Sequence, residues 1–175
     1  MTEQYFWYAI TTRSRQEKVA ANVLEGLGVR AFLPLVEEVH KWSDRKKTVS
    51  VPLFASYLFV QIPPSREAQV QVLRAPCVVS FVGNHCGPLA IPEKEIDDVR
   101  SVVLKGVDYS LYPYLKTGDQ VRIVGGALDG IEGTLISQGA DTKLVISIQL
   151  LQRSLAVSVY GYEVKPIGKS RGVAA

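Results

Sequence analysis

The sequence predicts an α+β chain, with a sheet-and-helix domain over residues 1–106 and a small β-barrel over residues 118–168. Three observations carry this. Helical and strand periodicities alternate as far as residue 106. Residues 107–117 (VDYSLYPYLKT) follow neither period and hold three tyrosines and a proline, which marks a linker. Beyond it every segment is a short strand bounded by glycine turns, the pattern of a small barrel. A chain of 175 residues has room for two such domains. Residues 169–175 offer little to bury and are expected to form a flexible tail.

The elements follow in order. Tyr5 to Thr11 is rich in aromatic and β-branched residues and predicts a strand. Ser14 with Glu17 three residues later reads as a capping box opening a helix. Val19, Ala20, Val23, Leu24 and Leu27 give its apolar stripe, and Gly26 and Gly28 its stop. Segments 29–33 and 36–42 read as strands either side of Pro34, 43–47 (SDRKK) as an exposed hairpin tip, and 48–54 as the returning strand. The nearly all-apolar run 56–62 (SYLFVQI) belongs in the middle of a sheet and ends at Pro63-Pro64.

Ala68, Val70 and Val72 alternate like a strand, but Ser65 can cap a helix, and a short helix over 65–74 is the preferred reading. Segment 77–82 reads as a strand and 84–91 as a loop. Pro92 suits the first position of a third helix. Glu93, Glu95 and Asp97 favour its N-terminal dipole, Ile96, Val99 and Val103 form its buried stripe, and Lys105 and Gly106 close it. In the barrel, strands are expected at 120–124, 131–136, 143–150, 155–160 and 162–167, with Leu144, Ile146, Ile148 and Leu150 on one face.

Composition argues for a cytoplasmic protein. The start lacks a basic segment followed by a long apolar one, and no apolar run reaches the length of about 18 residues a membrane span needs. Cys77 and Cys86 match no metal framework or redox motif and read as reduced thiols. The net charge of +3 is too weak for a stand-alone DNA binder, although Lys41, Arg45, Lys46 and Lys47 crowd seven positions. That suits local nucleic-acid contact by a protein held in place some other way.

No enzyme is expected. The glycines at 125–126 and 130–133 lack the Lys-Ser/Thr ending of a phosphate loop. His40 and His85 have no metal-ligand spacing, and Cys86 beside His85 is poorly placed for a nucleophile and its base. Glu37-Glu38 and Asp97-Asp98 read as solvated faces. No cofactor or metal is expected.

Several stretches resemble a known family. WYAITTRSRQEKVAANVLEGLG at 7–28, KWSDRKKTVSVPLF at 41–54 and SYLFVQI at 56–62 resemble the N-terminal domain of the NusG family. WSDRKK and VPLF are most similar to its specialised UpxY/RfaH-like antiterminator paralogs. GDQVRIVGGALDGIEGTL at 118–135 resembles a KOW motif. The resemblance implies a ferredoxin-like NGN domain followed by an SH3-like KOW barrel. It further implies a factor that docks on the clamp helices of the largest RNA polymerase subunit and reaches the gate loop of the second-largest. Holding the clamp closed, it disfavours pausing and termination.

By match, Trp7, Tyr8, Phe54 and Tyr57 are the candidates for the polymerase-binding pocket, the alternative being plain core residues. Ala55-Ser56 stands where the family has Pro-Gly. Arg13, Arg15, Gln16 and Lys18 are candidates for the non-template strand, or else a solvated helix face. Arg45, Lys46 and Lys47 would meet upstream duplex DNA, and Asn84 and His85 the gate loop. Gly130 matches the KOW turn glycine. Leu150, Leu151 and Arg153 match the edge that meets a small-subunit ribosomal protein or Rho, unless the leucines fill the barrel. A monomer is expected, with the barrel rather than a helical hairpin as its resting state. A general housekeeping NusG-type factor, and a KOW protein of the ribosome, remain alternatives.

Overall fold

A computed structural model describes residues 4–41, 46–106, 109–112, 119–138, 141–148, 151–159 and 162–167; the side chains of 39–41, 46–47, 109–112, 137–138 and 141–142 lie outside the description. The chain divides into two compact units, Met1–Glu93 and Lys94–Ala175.

The first unit begins with β1 (Phe6–Thr12), α1 (Glu17–Gly26), β2 (Arg30–Phe32), β3 (Leu35–Lys41), β4 (Lys46–Pro52) and β5 (Tyr57–Ile62). It continues with α2 (Arg66–Leu73), β6 (Val78–Phe81), β7 (Gly83–Asn84), β8 (Gly87–Pro88) and β9 (Ala90–Ile91). Its main sheet is antiparallel, ordered β2-β5-β1-β6, with β9 also pairing with β1. The apolar β5 lies inside the sheet, as its composition predicts. β3 and β4 form a separate hairpin; of its expected tip at 43–47, residues 43–45 lie outside the described residues, and Lys46 and Lys47 already belong to β4.

Strand alternation divides this sheet into two chemically different faces. Tyr8, Ile10, Leu58, Val60 and Ile62 form a core with Ala20, Ala21 and Leu24 of α1 and Ala68 and Val72 of α2. Trp7, Ala9 and Phe59 point the other way. α1 stops as expected: Gly28 takes φ 78° and the Val29 N–H returns to the Leu24 carbonyl. Its start differs from the expected capping box. The N-cap is Gln16 with no side-chain cap, and Glu17 instead reaches the chain near residue 56. Of the stripe, Val19 and Leu27 are exposed. α2 is a helix capped by Ser65, whose Oγ accepts from the Ala68 N–H at 3.2 Å. The expected loop 84–91 contains instead the β7–β8 turn and β9.

The second unit contains α3 (Glu93–Lys105, from Lys94 on), β10 (Tyr109–Tyr112), β11 (Asp119–Val124), β12 (Glu132–Gln138), β13 (Asp141–Ile148), β14 (Arg153–Ser158) and β15 (Glu163–Pro166). The strands form one antiparallel sheet ordered β10-β14-β13-β12-β11-β15. Two expectations change here. Tyr109–Tyr112, inside the expected linker 107–117, is an edge strand paired with β14. The third helix also groups with the β module rather than with residues 1–93, because it is tied to the β11–β12 turn.

Lys94 Nζ donates to the Gly130 carbonyl at 2.8 Å and pairs with Asp98 at 2.6 Å. The Glu132 N–H donates to the Asp98 carboxylate, and Lys105 Nζ donates to the Ala127 carbonyl. Asp98, expected on a solvated face, is therefore buried, and its carboxyl is raised above the ordinary carboxylate range by desolvation, which outweighs the Lys94 contact. Val102, rather than Val103, joins Ile96 and Val99 in the buried stripe. The alternation over 143–150 predicts a half-buried strand, but β13 is covered on both faces, since Leu144, Val145 and Ile146 are all buried. Among the described residues no helix is long and apolar enough to cross a membrane.

Candidate functional site

The sheet face turned away from α1 and α2 carries a chain of aromatic rings. Trp7 meets Phe32 edge-on at 6.4 Å between centroids, and Phe32 stacks on Phe59 at 6.1 Å. Phe54 meets Phe59 edge-on at 6.2 Å. Such pairs contribute about 0.5–1.5 kcal/mol each beyond their buried area. Trp7 and Phe54 are buried, while Phe32 and Tyr57 are half-buried. Tyr57 stands two residues before Phe59 on β5 and so shares its face.

Of the four ring candidates, the structure therefore gathers Trp7, Phe54 and Tyr57 on one face. Tyr8 is not among them. It lies in the core beneath α1 and α2, edge-on to Phe81 at 6.1 Å, and burial pushes its hydroxyl pKa up. Phe32 and Phe59 were missed as candidates. Phe59 was legible from its two-residue spacing to Tyr57; Phe32 needed the β2–β5 register.

Phe54 sits in the turn between β4 and β5, and that turn is held by a contact with α1. Ser56 takes φ 66° in the left-handed region, which a family glycine would enter without strain. Its N–H donates to Glu17 Oε1 at 2.8 Å, and its carbonyl accepts from the Thr12 N–H at 2.9 Å. Glu17 is only 5% exposed, so its carboxylate is committed to this turn. Glu17 and Ser56 thus hold this turn together, a contact that the sequence, which gave Glu17 a capping role, did not reveal.

The basic candidates are dispersed. Arg13 and Arg15 are exposed on the turn before α1, with Arg15 at φ 62°. Gln16 is half-buried, and Lys18 Nζ donates to the Ser50 carbonyl of β4 at 2.6 Å. Arg45 lies outside the described residues, as do the side chains of Lys46 and Lys47. Asn84 and His85 are exposed around the β7–β8 turn, where Asn84 Oδ1 accepts from the Cys86 N–H at 2.8 Å. Cys77 is buried and Cys86 exposed, both free.

In the second unit Gly130 takes φ 82° with open space around it, as a turn glycine should. Gly133 plays a different part: a Cβ there would lie 2.4 Å from the Val145 carbonyl oxygen. Leu151 is buried and Arg153 exposed beside the β13–β14 turn, while Leu150 lies outside the described residues. No cluster of His, Cys, Asp or Glu suited to a metal occurs among the described residues.

A sheet with one helix-covered face and one ring-bearing face, followed by a unit of one helix and a six-stranded sheet, defines an α+β protein of two units. Residues 5–100 match the family model described as transcription termination factor nusG. The chain is 27% identical over 176 residues to the transcription termination/antitermination protein NusG of Lactococcus lactis subsp. lactis (strain IL1403), covering 92% of each chain. NusG of Borreliella burgdorferi is also 27% identical, across 87% of this chain and 94% of that one. A solved structure described as domain interaction in Thermotoga maritima NusG shares the fold, with a TM-score of 0.54 at 22% identity over 89% of this chain and 93% of that one. The chain belongs to the NusG family of transcription termination/antitermination factors. That is a family of transcription factors rather than enzymes.

Proposed function

We propose that this chain docks on RNA polymerase through the ring-bearing face of its first unit and acts as an elongation and antitermination factor. The carrying observation is the connected set Trp7, Phe32, Phe59 and Phe54, with Tyr57 beside it. Buried Trp7 and Phe54 would form the floor of a pocket, and half-buried Phe32 and Tyr57 its accessible rim. Aromatic anchors of this kind dominate interface energies. The partner surface would be the clamp helices of the largest subunit, with Asn84 and His85 extending toward the gate loop of the second-largest. A factor that binds the closed clamp more tightly than the open one shifts the population toward elongation by that difference in affinity.

Arg13, Arg15, Gln16 and Lys18 would contact the non-template strand, and Arg45, Lys46 and Lys47 upstream duplex DNA, through phosphates. Leu151 and Arg153, with Leu150, would serve a small-subunit ribosomal protein or Rho. The UpxY/RfaH-like residues WSDRKK favour recruitment to particular operons. The general reading has its own support, because relatives named simply NusG match along both units. Genome-wide occupancy separates the two, with few sites for the specialised factor and most transcribed genes for the general one.

The function itself is tested by a single-round transcription assay with purified core polymerase on a pausing template. Wild type shortens pauses and Tyr57→Ala does so less at equal concentration. An absence of any effect of wild type on pausing or termination defeats the proposal.

A further inference from the structure

The outer face of α2 holds a second, chemically distinct surface. Arg66, Val70 and Arg74 follow one another at four-residue spacing and so form a single row along the helix, about 12 Å long at 1.5 Å per residue. With Glu67 and Gln71 they line a shallow groove of about 360 Å³. Val70 is 39% exposed and neighbouring Leu73 46% exposed. Gln71 Nε2 donates to the Leu27 carbonyl at 2.8 Å, which brings a third exposed apolar residue to the groove's margin.

The charges in this row are uncommitted. Arg100 is paired with Asp97 and Arg122 with Glu132, and Arg30 is bonded to Gln61. The guanidinium groups of Arg66 and Arg74 have no hydrogen bond or ion pair among the described residues. The opposite side of the helix, Ala68 and Val72, is already buried in the core, so the fold itself makes no use of the outer row.

We infer that this groove docks an acidic amphipathic peptide segment of a protein partner. The complement of a cation–apolar–cation row is an anion–apolar–anion row with the same spacing. A helix with carboxylates at i and i+8 and an apolar residue at i+4 supplies it. Arg suits this task because its planar donors grip a carboxylate in a bidentate manner. Exposed Val70 and Leu73 disfavour a phosphate backbone, which would gain nothing from apolar contact, whereas an amphipathic peptide covers them. α2 covers the sheet face opposite the rings, so the groove and the ring-bearing face can be occupied at the same time. A chain docked through its rings would still offer α2 to another protein.

The test uses the full chain, isotopically labelled, titrated with a synthetic helical peptide carrying a Glu–Leu–Glu row at i, i+4 and i+8. Amide shifts are expected to cluster at residues 65–74 and around Leu27. Arg66→Glu with Arg74→Glu weakens binding by about tenfold or more, since each attraction becomes a repulsion of similar size. A Gln–Leu–Gln peptide binds comparably weakly to wild type, and Tyr57→Ala leaves peptide binding unchanged. Unaltered binding by the folded double reversal overturns the inference, as does an absence of shifts in α2. Preferential binding of single-stranded RNA to the same residues overturns it too.

Discussion

Removing the Glu17 carboxylate should loosen the turn that carries Phe54. The side chain is 5% exposed, and its Oε1 accepts the Ser56 N–H at 2.8 Å. A hydrogen bond to a charged group stabilises by about 1.5–3 kcal/mol, and an acid in the first turn of a helix adds about 0.3–1 kcal/mol. Glu17→Ala forfeits both and leaves the Ser56 N–H without its acceptor. The expected destabilisation is about 2–3 kcal/mol, partly offset by relief from burying a charge. Glu17→Gln keeps an acceptor of nearly the same shape and loses about half as much.

Urea unfolding followed by tryptophan fluorescence, to which buried Trp7 contributes, and by near-ultraviolet dichroism reads this directly. With a slope of about 1–1.5 kcal/mol/M, the Glu17→Ala midpoint falls by roughly 2 M and the Glu17→Gln midpoint by roughly 1 M. Equal midpoints for wild type and Glu17→Ala would refute this role of the Glu17–Ser56 contact. So would a Glu17→Gln variant less stable than Glu17→Ala, because the contact would then be a liability rather than a support.

Other outcomes follow from the same geometry. Ser56→Gly relieves left-handed strain of about 1–2 kcal/mol while loosening the unfolded chain by about 0.4–1 kcal/mol, so a net gain of roughly 0.5 kcal/mol is expected in the same urea assay. Gly133→Ala, which drives a methyl against the Val145 backbone, destabilises the second unit by more than about 3 kcal/mol, whereas Gly130→Ala costs only its φ strain of about 1–2 kcal/mol. Thermal unfolding of the two variants ranks them. Asp98 gives a pH signature. Its folded pKa is raised, so its contribution to stability is complete below its unfolded value of about 4 and is lost as pH rises through the folded value. The stability of wild type relative to Asp98→Asn should therefore decline from acid toward neutral pH; a constant difference would contradict the burial of this carboxyl.

Much of the architecture was legible because local rules and tertiary packing agree. Ser65 caps α2, Gly28 closes α1, and the apolar run of β5 lies inside its sheet. Failures arose where distant contacts decide. Glu17 satisfied the local pattern of a capping box, yet its partner is Ser56, 39 residues away. Asp98 looked solvated because sequence alone does not reveal that Lys94 and the Glu132 N–H surround it. Tyr109–Tyr112 lacks a strand period of its own and becomes a strand by pairing with β14. Alternation separated Trp7 from Tyr8 in principle, but which face the helices cover emerged only from the sheet order and packing.

The central claim is that the accessible ring edges on the first unit grip the transcribing enzyme. It is tested by titrating purified core RNA polymerase with labelled wild type and Tyr57→Ala, a half-buried position whose truncation leaves the helix-covered core intact. A hot-spot loss of about 2 kcal/mol predicts roughly thirtyfold weaker binding with an unchanged unfolding midpoint. Equal affinity of the folded variant and wild type would contradict the account.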